Sequence, residues 1–188
     1  MTSEEKRLIA DCRVMIIGTS DFIDNVKAEL YRSGFKSINI VSGNDVHTGI
    51  EPVDMMAEYA GEACTRVNGN VAIPIIYPFD FVDGAGAIVV MPGDDNELHG
   101  KANARLWAAE YMAGYCAFWN MAGCDWLQSV LPKIREGKTS EAAQRTAAHI
   151  CARIAVNIAV GREVKHFPRF YLCRVESVES RVEREGRL

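Results

Sequence analysis

No Cys-X-X-Cys pair occurs in the sequence, although it holds six cysteines, Cys12, Cys64, Cys116, Cys124, Cys151 and Cys173. That spacing argues against a tetrathiolate centre, and no zinc site is expected. Dispersed over apparent strands and helices, the thiols suit buried, reduced cysteines of a cytoplasmic protein better than a disulfide scaffold. No apolar stretch is long enough to span a bilayer. The charged start, Thr2 to Arg7, leads into a strand, not into an apolar segment with a cleavage site, so no secretory signal is expected. Lysines and arginines number 21 against 25 aspartates and glutamates, a formal net charge of -4. With the cations scattered except at the C-terminus, nothing draws the chain to nucleic acid or to an anionic membrane. His47, His99, His149 and His166 lack close metal-ligand spacing, and His149 reads as a core histidine inside an apolar helix. No Tyr-X-X-X-Lys pair supports short-chain dehydrogenase chemistry, and no internal repeat or low-complexity linker is present.

What is present is an α/β pattern. At 188 residues and 48% apolar, the chain suits a single domain over 1–188 with a charged tail from about residue 176. Arg13 to Gly18 reads as a buried strand. Phe22, Val26 and Leu30 recur on one face of a helix over Phe22 to Ser33, closed by Gly34. Ser37 to Val41 alternates as a second, less buried strand. Pro52 starts a predicted crossover helix carrying Val53, Met56, Ala60, Cys64 and Val67 and closing near Gly69. Val71, Ile73, Ile75 and Tyr77 alternate as a third strand, with Pro74 suggesting an edge. Ala87 to Met91 reads as a central parallel strand buried on both faces. The expectation is a Rossmann-like, mostly parallel sheet with helices on both faces and strand order 3-2-1-4.

The second half is mainly helical. A helix from Asp95 or Asn96 to about Ala122 is apolar nearly all round, with Leu106, Trp107, Tyr111, Met112, Tyr115, Cys116, Phe118 and Trp119. Its aromatics fit either a core or a dimer interface, and both readings stay open. A shorter helix over Asp125 to Glu136 contains Pro132, where a break is expected. A long helix from a Thr139 cap to Gly161 follows, then a strand at Phe170 to Cys173. Cys116 and Cys124 have no sequence neighbour that would activate a nucleophile, and both read as buried thiols.

A phosphate-binding turn wants glycine at its first, third and sixth places, which here hold Gly18, Ser20 and Ile23. Asp21 and Asp24 add carboxylates where a helix N-terminus would otherwise attract phosphate. The end of the second strand offers Ser42 where a ribose-binding acid is expected, with Asp45 three residues late. The most specific chemical cluster is Gly93, Asp94, Asp95 and Asn96, after the buried fourth strand, at the sheet edge where ligands or Mg²⁺ are met; helix capping is the simpler account of either aspartate alone.

Taken in order, these segments resemble the ThiF, MoeB and HesA family, the adenylating enzymes related to ubiquitin-activating enzyme. Cys12 to Asp45, including YRSGFKSINIVSGND, is similar to the family's first strand, turn, helix and second strand. AEYAGEACTRVNGNVAIPII is similar to its second helix and turn, GAIVVMPGDDN to its strand ending in Thr-Asp-Asn, and NIAVG with the strand after it to its C-terminal end. The resemblance implies ATP on Gly18, Thr19, Ser20, Ser42 and Asp45, Mg²⁺ on Asp95 beside Asp94 and Asn96, and phosphates met by Lys101 or Arg105. It also implies a small carrier protein or a heterodimer partner, or a homodimer. The family's Arg-containing segment after strand two is absent, and Met56 stands at its lysine position. Two functions follow: reduced adenylation of a carboxylate, or a non-catalytic binding or dimer-partner subunit.

Overall fold

Thr2 Oγ1 accepts the Glu5 N–H while the Glu5 carboxylate accepts the Thr2 N–H, a capping box that starts helix α1, Ser3–Asp11. The computed structural model describes residues 1–18, 22–41, 53–58 and 72–175. The expected charged lead-in is therefore helical, and its Thr-X-X-Glu spacing carried the signal. After α1 come β1 (Arg13–Ile17), α2 (Phe22–Ser33), β2 (Ser37–Val41), β3 (Met55–Glu58), β4 (Ile75–Asp80), β5 (Gly84–Val90), α3 (Ala104–Phe118), α4 (Trp126–Arg135), α5 (Glu141–Ala159) and β6 (Phe170–Arg174). Gly34, at φ +103°, ends α2 as expected.

The six strands form one mixed sheet in the order β2-β1-β3-β4-β5-β6. β2, β1, β3 and β4 run parallel, β5 is antiparallel to β4, and β6 is antiparallel to β5. The fold is α/β, and its sheet is only partly parallel. β5 is buried along its whole length, as its apolar run implies, but the expected parallel direction is overturned. The reason is the connection: only 81–83 join it to β4, through Phe81 N–H to Gly84 O at 2.8 Å and Val82 N–H to Asp80 Oδ1 at 2.6 Å. A parallel crossover needs about a dozen residues.

The strand order 3-2-1-4 is also overturned, because Met55–Glu58 is a strand and not the start of a helix. Val14 to Ile17 pair with Met55 to Glu58, so β3 inserts beside β1. Its residues are buried between two strands and two helical layers, a setting that overrides helical spacing over so short a run. The rest of that expected helix, including Ala60, Cys64, Val67 and Gly69, lies outside the described residues, as does the tail from 176. Pro74 marks no edge: β4 lies between β3 and β5, and the Pro74 carbonyl accepts the Met56 N–H at 2.9 Å.

Met15, Ile17, Met56, Tyr77 and Val90 face one core layer with α3 and α4. Val14, Ile16, Ala57, Ile76 and Val89 face the other, with α1, α2 and α5. α3 starts later than expected, at Ala104, because Asn103 Oδ1 accepts the Leu106 N–H at 3.0 Å. Pro132 sits inside α4 without ending it, and Ser140, not Thr139, caps α5. The aromatics of α3 divide. Tyr111 stacks on Trp107 at 5.2 Å and Tyr115 meets Phe170 edge-on, whereas Phe118 and Trp119 are 80% and 62% exposed. His149 is exposed beside Glu29, not in the core, and Cys173 is exposed rather than buried.

Candidate functional site

Parallel strands deliver their carboxyl ends to one edge, and ligands of open α/β sheets bind where the strand order reverses along it. Here the chain leaves β1 for β2 on one side and returns to β3 on the other, so the reversal falls between β1 and β3. Gly18 follows β1, and its N–H donates to the Val41 carbonyl at 3.2 Å, which holds the ends of β1 and β2 together. Across β1, Glu58 ends β3 opposite Ile17. Alternation puts its side chain on the face of Met56 and Ile17, and only 3% of the residue is exposed. An acidic side chain this buried at a strand end is rare outside ion pairs and functional sites.

The buried polar side chains among the described residues are Glu58, Asp80, Asn96 and Arg105. Asp80 and Arg105 have a structural role. Arg105 Nε donates to the Asp80 carbonyl, its Nη2 donates to the Lys138 carbonyl at 2.6 Å and lies 3.6 Å from Asp80 Oδ1, while Asp80 Oδ2 accepts the Ser140 N–H at 2.9 Å. This knot ties the end of β4 to the starts of α3 and α5. Asn96 Nδ2 donates to the Tyr77 hydroxyl at 2.9 Å, and its buried Oδ1 meets no donor among the described residues.

Among the described residues, the structure does not bring the expected nucleotide residues together. Because β5 is antiparallel, its carboxyl end lies where β1, β3 and β4 begin, so Gly93 and Asp94 leave the edge opposite Gly18. Asp94 Oδ2 accepts the Met91 N–H at 2.9 Å and pairs with His166 Nδ1 at 2.8 Å, which fastens the turn after β5 to the segment before β6. Asp95 is exposed in that connection. Lys101 Nζ lies 5.1 Å above the Trp107 ring. Arg105 does reach the carboxyl edge, but at β4, with Nε and Nη2 held by the Asp80 and Lys138 carbonyls. Thr19, Ser20, Ser42 and Asp45 lie outside the described residues. Among the described residues no group of three or more His, Cys, Asp or Glu side chains is arranged to hold a metal ion, and no helix is long and apolar enough to cross a membrane.

Glu58 was missed because its neighbours fit a helical pattern. Asp24, in the first turn of α2, faces solvent as its position implies. No known family model and no curated protein sequence matches this chain.

Proposed function

We propose that this chain is a non-catalytic relative of the ThiF, MoeB and HesA proteins that holds a nucleoside at the carboxyl edge between β1 and β3. The observation that carries the reading is the buried Glu58 carboxylate across β1 from the Gly18 turn. A carboxyl group offers acceptor oxygens in several directions, and an acid at a strand end is the group that takes ribose hydroxyls in dinucleotide-binding sheets. Gly18 lets a ligand approach the backbone closely. Asp24 offsets the positive end of α2, so this edge suits the hydroxyl-bearing part of a nucleotide better than its phosphates.

Adenylation needs cations fixed on phosphate oxygens. Arg105 is committed to Asp80 and Lys138, and Asp95 follows the opposite edge, so these two do not support phosphate chemistry at the Gly18 edge. The test is calorimetric titration of wild type and Glu58→Gln with adenosine and with Mg-ATP. Adenosine should bind at least as tightly as Mg-ATP, and the substitution should weaken it by about tenfold to a hundredfold, the worth of a hydrogen bond to a charged acceptor. Asp95-dependent pyrophosphate exchange, or no heat with either ligand, would overturn the reading.

The exposed Phe118 and Trp119 favour a second reading, self-association with another copy of this chain. Residues 117–123 carry no charge, so two copies of net charge -4 meet there with least repulsion. Sedimentation should show a concentration-dependent dimer that Trp119→Ser abolishes; a monomer at every concentration refutes it.

A further inference from the structure

α3 ends at Phe118 and the chain turns through 119–125 into α4. Two cysteines bracket that turn: Cys116 in the last turn of α3, buried, and Cys124 just before α4, half-buried. Although 117–123 separate them in sequence, both line one small crevice. The Met121 N–H donates to the Cys116 carbonyl at 2.8 Å, folding the loop back on the helix end. A crevice of about 60 Å³ lined by both cysteines with Asn120, Met121, Asp125 and Gln128 opens beside them. Between the two cysteines in sequence stand Phe118, Trp119 and Met121, which are 80%, 62% and 44% exposed.

We propose that Cys116 and Cys124 form a reversible dithiol–disulfide site, closed by small-molecule disulfides, that fixes the loop bearing these exposed side chains. Cys124 is the sulfur with access. Its thiolate attacks a disulfide RSSR, forming a Cys124–S–S–R bond and releasing one thiolate RS⁻. Cys116, having lost its proton to solvent or to the released RS⁻, then attacks Cys124 Sγ, forming the Cys116–Cys124 bond and expelling the second RS⁻. The protein gives up two protons and two electrons, and RSSR becomes two RSH. Burial, and next the Cys124 neighbour, push the Cys116 thiol up to about 12, so closing is the slow step and quickens with rising pH. Among the other described cysteines, Cys12 and Cys151 are buried, and Cys173 is exposed on β6.

The test needs no binding partner, so it stands or falls apart from the self-association reading. The full chain is incubated with glutathione disulfide, quenched by alkylation and peptide-mapped, with folding checked by circular dichroism. A Cys116–Cys124 cross-link should form, revert with dithiothreitol, be lost in Cys124→Ser, and slow chymotrypsin cleavage after Phe118 and Trp119. Cys116→Ser should stop at a lasting glutathione adduct on Cys124. A lasting adduct on wild-type Cys124, or free thiols at both positions while Cys173 reacts, would overturn the site. A cross-link that leaves cleavage unchanged would overturn the fixing of the loop.

Discussion

Replacing Arg105 by leucine removes the Nε–H bond to the Asp80 carbonyl, the Nη2 bond to the Lys138 carbonyl and the 3.6 Å approach to Asp80 Oδ1. Asp80 is 0% exposed, so its carboxylate stays out of water with the Val82 and Ser140 N–H groups at 2.6 and 2.9 Å. Removing one partner of a buried ion pair costs about 3–5 kcal/mol. The long ion-pair distance and the two remaining donors put Arg105→Leu at the lower end, about 3 kcal/mol. At about 2–4 °C per kcal/mol for a chain of this length, the Tm should fall by about 6–12 °C. Thermal and urea unfolding followed by circular dichroism give both numbers, with an unchanged urea m-value confirming the same fold. In Asp80→Asn/Arg105→Leu the loss should be smaller than the sum of the single losses, since no charge is left behind. A Tm within about 2 °C of wild type would refute the structural role, and loss of Mg-ATP binding from such a stable variant would return Arg105 to the phosphates.

A Cβ on Gly84 would lie 2.2 Å from Trp126 and 2.6 Å from the Cys173 carbonyl, so Gly84→Ala should lose about 1–3 kcal/mol by urea midpoint. Gly114→Ala, with open space at its Cβ inside α3, should instead gain about 0.5–1 kcal/mol. Arg13, by side-chain and then backbone hydrogen bonds, holds the Asp54 carboxyl below its ordinary 3.8. The folded state therefore binds this proton less tightly than the unfolded chain, and the contribution is complete above about pH 4 and is lost as pH falls through the lowered folded value. Both side chains are more than 40% exposed, so acid titration of Asp54→Ala against wild type should differ by no more than about 1 kcal/mol; a larger loss on raising pH would contradict the sign. Burial pushes the Cys12 and Cys151 thiols up to about 11 and about 12. Among the described cysteines, iodoacetamide at about pH 8 should therefore label Cys124 and Cys173 first and reach those two only after unfolding, as peptide mapping would show.

β1, α2 and β2 were legible because local periodicity and the Gly34 cap decide them without reference to the rest of the chain. The burial of β5 was legible for the same reason, and its direction was not. The strands as read, ending at Tyr77 and resuming at Ala87, already leave only 78–86 between them, fewer than the dozen or so residues a crossover needs, and their true bounds at Asp80 and Gly84 leave only 81–83 and force a hairpin. The hairpin carried Asp94 and Asp95 to the other edge. β3 was hidden because so short a buried run carries no period of its own, and with it Glu58, the residue on which the proposed site rests. The work of Arg105 was equally invisible, since Asp80 and Lys138 meet it only through the tertiary fold. Gly18 alone, among the expected nucleotide residues that the structure describes, stands where the sequence pattern put it, at the end of β1.

The most direct test of the ligand's position is an amide chemical-shift titration of the isotopically labelled chain with adenosine. Binding between β1 and β3 should shift Gly18, Val41 and Glu58 and leave Asp94 to Lys101 silent. Shifts confined to Asp94 to Lys101, or none at millimolar adenosine, would contradict it.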